Sequence, residues 1–215
     1  MDDQSWYITR RWQEYSAEGR VNLLRIASVG VLYCVHLWSY ASSQGWLPHL
    51  EFLQLATTGE VDRPFHVVVT LLAVAWVMLA LGIQLALVQR VFPGWLPLFS
   101  TGVDVVLLTS MIALGSGPRS PLVGCYFLIL VLASFRFSLP LVRFATMASA
   151  AGYLFVLGAA KWAPAVSKLT DEATVPRYHQ LIVFASILLA GVMLGQLVRR
   201  VRDAAVDYSN RAHQS

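Results

Sequence analysis

The chain has 215 residues, of which 57% are hydrophobic and only 13% charged, with a formal net charge of +4. Its mean hydropathy of +0.59 is too apolar for a soluble domain with a charged surface, so whatever the protein does is done in or at a membrane. Its basic residues are spread along the chain rather than gathered in one soluble patch, which argues against nucleic acid as a partner.

Residues 1–20, MDDQSWYITRRWQEYSAEGR, are polar and of mixed charge, lack the cleavage site of a signal peptide, and read as a cytoplasmic segment. Six apolar stretches follow, at roughly 21–43, 64–89, 96–115, 121–139, 140–160 and 177–198, and each is longer than the ~18 residues that read as a transmembrane helix. The expected fold is therefore all-α, a polytopic six-transmembrane-helix bundle over 21–198, with residues 199–215 beginning a cytoplasmic helix. Pro64 and Pro176 suit helix first turns, Phe92-Pro93-Gly94 and Gly115-Ser116-Gly117-Pro118 are turn signals, and Pro140 divides the fourth span from the fifth. The two longer connections, about 44–63 and 161–176, fall on the opposite face from the termini and are too short to fold alone. Cys34 and Cys125 both lie in apolar stretches, which argues against a disulfide framework.

Orientation follows from Lys and Arg. Arg10, Arg11, Arg20, Arg25, Arg90, Arg136, Arg143, Arg199, Arg200, Arg202 and Arg211 fall on the face of the termini, against Arg63, Arg119, Lys161, Lys168 and Arg177 on the other. This bias puts both termini in the cytoplasm and the charge in contact with anionic lipid. Trp46, Trp95, Trp162 and Tyr178, near span ends, fit an interfacial aromatic belt.

Asp104 lies inside the third span, where a carboxylate costs on the order of 2.5–3.5 kcal/mol and needs a partner. Arg136 and Arg143, flanking the fourth and fifth spans, are the expected partners in a structural ion pair, with Arg25 of span one a third candidate. His66 follows Pro64 and His179 follows Pro176 closely, so both imidazoles are expected in helix first turns at one depth, with His36 roughly 10 Å deeper and His49 in the loop above. Paired imidazoles suit the axial positions of a b-type haem, a metal ion, a pH switch, or two amphipathic rings at headgroup level. No CxxCH occurs, so covalent haem attachment is excluded.

Gly191 and Gly195 form a GxxxG in span six, and Ala148 to Gly152 a small-xxx-small in span five. Leu194, Val198, Val201, Ala205, Tyr208 and Ala212 follow heptad spacing, a seam that leaves the membrane and suits a parallel coiled coil between two copies. The pattern is still running at Ser215, so further protein is expected beyond it.

These features together resemble the membrane input domains of bacterial sensor histidine kinases: six helices, both ends cytoplasmic, the loop from Gly115 to Leu122, and a helical exit from span six. In the redox-responsive kinases of that group a Gly-Gly…Asn-Pro loop at this location is implicated in quinone sensing. Gly117, Ser120 and Pro121 match it in part, with Ser120 in place of the Asn and Leu122 in place of the following aromatic. The organisation is also similar to the six-helix anchors of membrane-bound class III adenylate cyclases, one subgroup of which carries haem b in a quinone-responsive anchor. That resemblance implies His36, His66 and His179 as haem b ligands. No kinase or cyclase catalytic motif occurs in these residues, nor HExxH, GxSxG or a P-loop, so no enzyme activity is expected of them. The expected function is a non-catalytic sensor or anchor domain of a bacterial signalling protein in the inner membrane. Its expected partners are membrane lipid, a second copy through span six and the exit helix, and a quinone or other lipophilic ligand. The alternatives are a haem b quinone-reactive electron-transfer anchor and a small transporter, the latter disfavoured by the single acidic residue within a span.

Overall fold

Prolines set the helix starts, as their fixed φ and missing N–H dictate. The computed structural model describes residues 2–46, 63–89, 93–162 and 175–212; side chains before Tyr15 and after Asp207 lie outside the description. The helices are α1 Asp2–Ser43, α2 Arg63–Val88, α3 Leu96–Leu114, α4 Cys125–Ser134, α5 Leu139–Trp162 and α6 Arg177–Ala212. Among the described residues there is no strand. Pro97 and Pro140 stand second in α3 and α5, and α6 begins directly after Pro176.

Five helical segments are long and apolar enough to cross a membrane: Tyr15–Ser42, Phe65–Val88, Leu96–Leu114, Leu139–Trp162 and Arg177–Asp207. The protein is thus an α-helical, multi-pass membrane protein. The fourth expected span departs from the rest, since α4 is an α-helix of only 10 residues. It is preceded by two 3-10 turns, Gly117–Arg119 and Pro121–Gly124, where Pro118 and Pro121 withhold N–H donors from the first turns. Beyond Ser134, hydrogen bonds from the Phe135, Arg136 and Phe137 amides continue the helical path for three residues. Phe137 then turns into the left-handed region (φ 49) and ends it.

α1 and α2 are antiparallel, and four side chains fix their register. Tyr15 Oη donates to Leu87 O, Asn22 Nδ2 donates to Ala80 O, Tyr33 Oη meets Thr70 Oγ1, and His36 meets His66. From Tyr15 to His36 a helix rises about 32 Å, close to the thickness of a bilayer's hydrocarbon core. α2 buries Val69, Ala73, Trp76, Ala80, Ile83 and Leu87 at alternating steps of four and three, one stripe facing the bundle. The opposite positions, Leu71, Met78, Leu81 and Leu85, are exposed and apolar, as a lipid-facing side requires.

α4 is the central element, packed against α1, α3, α5 and α6. It contributes Tyr126, Ile129, Leu130 and Ala133 to a core completed by Val105, Leu108 and Ile112 of α3, Ala145, Tyr153 and Val156 of α5, and Ile187 of α6. Hydrogen bonds at both ends show that α4 runs antiparallel to α3: Thr109 with Tyr126 at one end, Ser100 and Thr101 with Arg136 at the other. The end of α4 therefore returns to the level at which α3 began.

α5 and α6 approach most closely at Gly191, where a Cβ would collide with the Thr146 hydroxyl and methyl. Thr146 Oγ1 is held by a 2.8 Å bond to Val142 O and has little freedom to yield. At Gly195 a Cβ would meet Leu139 Cδ1 at 3.4 Å, an ordinary contact. Gly191→Ala is therefore expected to lower the thermal stability of the detergent-solubilised protein by about 1–3 kcal/mol, an overpacking loss. Gly195→Ala should melt close to the parent protein; equal effects of the two substitutions would contradict this packing.

Candidate functional site

Two polar layers interrupt the apolar bundle, one toward each end of the α1–α2 pair. The first begins with α1, whose Glu18, Asn22 and Arg25 recur at helical spacing and face inward, exposed by 1%, 0% and 2%. Arg25 grips Asp104 of α3 bidentately: Nε lies 2.9 Å from Oδ1 and 3.0 Å from Oδ2, and Nη2 2.9 Å from Oδ2. Trp76 of α2 donates Nε1–H to Asp104 Oδ1 at 2.7 Å. Arg25 Nη1 donates to Asn22 Oδ1 at 2.9 Å, and Asn22 Nδ2 in turn bonds Ala80 O and Gln84 Oε1 of α2. One carboxylate thereby joins three helices.

The second ion pair of this layer was not legible as such in the sequence. Arg136, just past α4, donates from Nε and Nη2 to the two oxygens of Glu18, both at 2.6 Å. Its remaining donors reach Thr101 Oγ1 at 2.9 Å and Ser100 Oγ at 3.1 Å. Both pairs are fork-to-carboxylate contacts, the strongest geometry available to arginine. Each guanidinium is satisfied by hydroxyl or amide oxygens beyond its carboxylate, which is what burying charge in a low-dielectric interior demands.

The expected pairing of Asp104 with Arg136 or Arg143 is thus corrected. Its partner is Arg25, Arg136 serves Glu18, and Arg143 is exposed on the first turn of α5. The reason is geometric: Arg25 lies one helical repeat beyond Glu18 on the same face of α1, so α1 supplies one acid and one base, each to a different neighbour. Glu18 falls outside a first span that starts at residue 21, and Asn22, Trp76, Ser100 and Thr101 lie within spans as uncharged residues that carry no signal of an ion pair on their own. The 18/22/25 spacing was the signal that reveals them.

The other layer lies where α1 ends and α2 begins. His36 Nε2 and His66 Nδ1 are 3.1 Å apart, within hydrogen-bond distance, and the ring planes are inclined by only 15°. Their centroids are 5.3 Å apart, close to that gap plus two ring radii, so the imidazoles meet edge to edge in one N–H···N bond. Tyr40 stacks on His66 at 3.9 Å between centroids, and Phe65 approaches His36 edge-on. His179 is exposed on the first turn of α6, away from this pair. His49 lies outside the described residues.

This arrangement does not fit a bis-imidazole haem. Two axial nitrogens stand about 4 Å apart across an iron, whereas these two bond directly to each other, and His179 is not part of the pair. Among the described residues no three His, Cys, Asp or Glu side chains gather as metal ligands. In the 115–122 loop, Gly117 and Pro118 are buried and Ser120 Oγ accepts from Leu122 N as the cap of a 3-10 turn, so its hydroxyl is engaged within the chain.

On α6, Gly191, Gly195 and Val198 are buried inside the chain, which corrects their expected place in a dimer contact. The same face continues to Val201 and Ala205, which are exposed; the Tyr208 side chain lies outside the described residues. No family model matches the chain, and it is similar to no curated protein and no solved structure.

Glu18→Gln is expected to destabilise the detergent-solubilised bundle by about 3–5 kcal/mol, because it leaves the Arg136 charge buried without its counter-ion. Adding Arg136→Gln should restore part of the loss. A parental melting temperature in the single variant would show the pair to be hydrated. Protein purified from cells supplied with haem precursor is expected to lack a Soret band; a band that His66→Ala removes would show that α1 and α2 part to admit a porphyrin.

Proposed function

We propose that this chain is a six-span, non-catalytic membrane sensor or anchor domain that passes changes in its bundle to the cytoplasm through α6. The observation that carries the reading is the length and phase of that helix. α6 runs 36 residues, about 54 Å, well beyond what a bilayer core needs. Its inner face is rooted in the bundle at Ile187, Gly191, Gly195 and Val198, and past Val198 every described residue to Asp207 is exposed. No glycine or proline follows Gly195 in the helix, so nothing in its sequence favours a kink, and a shift against α5 reaches the exit segment as a rigid displacement. Val201 and Ala205 continue the buried stripe into water, the pattern of a helix that meets a second copy.

A sixth crossing by α4 is supported by its path. From Pro121 through Phe137 the 3-10 turn, helix and closing turns extend about 27 Å. Its two ends bond to α3 near either end of that helix. Six crossings would put both termini on one side, and the excess of arginine there supports a cytoplasmic reading of that side, in what we take to be a bacterial inner membrane.

Single cysteines placed along the exit helix in membranes are the test. Val201→Cys and Ala205→Cys are expected to crosslink between copies several-fold faster than Arg202→Cys and Asp203→Cys. Uniform rates around the helix, or no crosslinking at any site, would remove the paired exit helix and with it this route for a signal.

A further inference from the structure

We propose that the His36–His66 contact is a proton-operated latch, closed while both imidazoles are neutral and opened by their protonation. The two rings join α1 to α2 at the end opposite the charged layer, and both are half-buried rather than enclosed by the bundle. A neutral pair is self-sufficient there, because one ring donates N–H and the other accepts. With both rings protonated, every ring nitrogen carries a hydrogen, so N–H is set against N–H across the 3.1 Å contact and two imidazolium charges meet there, and the contact has to part.

The described surroundings decide which form wins. From α1 the rings are met by Tyr33 and Tyr40, and from α2 by Phe65. α3 reaches this level through Gly115, which lies against Phe65 and carries no titratable group. The cation nearest in sequence is Arg63, exposed one turn before His66. No carboxylate of a described residue touches either ring, so among the described residues the closed pair has no counter-charge for an imidazolium. A cation–π contact with the Tyr40 face replaces only part of the hydration that burial removes. Parted, the two rings no longer share one hydrogen and each can bind a proton of its own, so opening takes up as many as two protons. Over the interval in which both rings take up protons, each pH unit of acidification favours the open form by up to about 100-fold, falling toward 10-fold if the closed pair itself retains one proton. Thr70, bonded to both Tyr33 and the His66 carbonyl, ties the latch to the next turn of α2, so opening moves backbone as well as rings. As the stimulus for the exit helix the latch rests on the reading above; as a pH-dependent contact between α1 and α2 it does not.

Spin labels on Leu37→Cys and Val67→Cys, two exposed positions flanking the histidines, report the helix separation in nanodiscs holding the full chain. At pH 8 a single short distance is expected, and at pH 5 a population longer by several ångströms. The His36→Leu/His66→Leu variant should give one distribution at both pH values. An unchanged wild-type distance, or a pH response that persists without the histidines, would overturn the latch. Imidazole 15N shifts of unlabelled wild-type protein provide a second reading should that variant fail to fold. Both rings titrating together over a narrow interval supports the latch, and two independent ordinary titrations overturn it. The exit-helix crosslinking at pH 8 is a separate observable: its failure alongside a working latch would remove the signalling role and leave the pH-dependent contact standing.

Discussion

The Arg25–Asp104 pair is the constraint around which the bundle is arranged. A carboxylate eight residues into an apolar helix has no solvent to turn to, and its folded position is the one in which two arginine nitrogens and the Trp76 N–H meet its oxygens. Because those donors sit on α1 and α2, satisfying one side chain of α3 determines how three helices stand to one another. Packing alone specifies this less sharply, since apolar helix faces in lipid gain little from choosing one neighbour over another. The Glu18–Arg136 pair extends the same logic to α4 and fixes the level at which that helix ends. The two pairs are neutral together, so the layer imposes position without leaving a net charge in the membrane.

The rest of the bundle is softer, and the difference suits a relay. At the charged layer α1, α2, α3 and α4 are joined by a network of charged bonds, whereas toward the opposite end the described links between α1 and α2 are the neutral Tyr33–Thr70 contact, the histidine pair and a few ring contacts. In the proposed relay, a displacement introduced at that end would pivot about the charged layer. α6 meets the bundle mainly through α5 and α4, with close contact at Gly191, so motion of those helices is conveyed along its length rather than absorbed at a kink.

Much of the architecture was legible in the sequence, because proline positions and hydropathy report axial boundaries directly. α2, α5 and α6 begin within a residue or so of where Pro64, Pro140 and Pro176 put them. The fourth span was longer in the hydropathy pattern than its regular helix, since apolarity does not distinguish 3-10 from α-helical turns around Pro118 and Pro121. What one sequence does not specify is azimuth. His66 and His179 share a depth by count, yet His66 faces α1 and meets His36, while His179 points elsewhere. Gly191 and Gly195 mark a close approach correctly in kind, but the partner is α5 of the same chain. Asp104 was recognised as needing a base, and the choice among Arg25, Arg136 and Arg143 turned on Glu18, which looked like part of a polar tail until the 18/22/25 stripe was seen to face inward.

A double-mutant cycle on Arg25 and Asp104 tests the central claim most directly, with unfolding followed in detergent for Arg25→Leu, Asp104→Leu and the two combined. If this pair determines how α1, α2 and α3 stand together, each single substitution strands a buried charge and lowers stability by about 3–5 kcal/mol. The combined variant, with neither charge to bury, then recovers most of that loss. Single variants that unfold like the parent protein, or losses that simply add in the combined variant, would contradict the account.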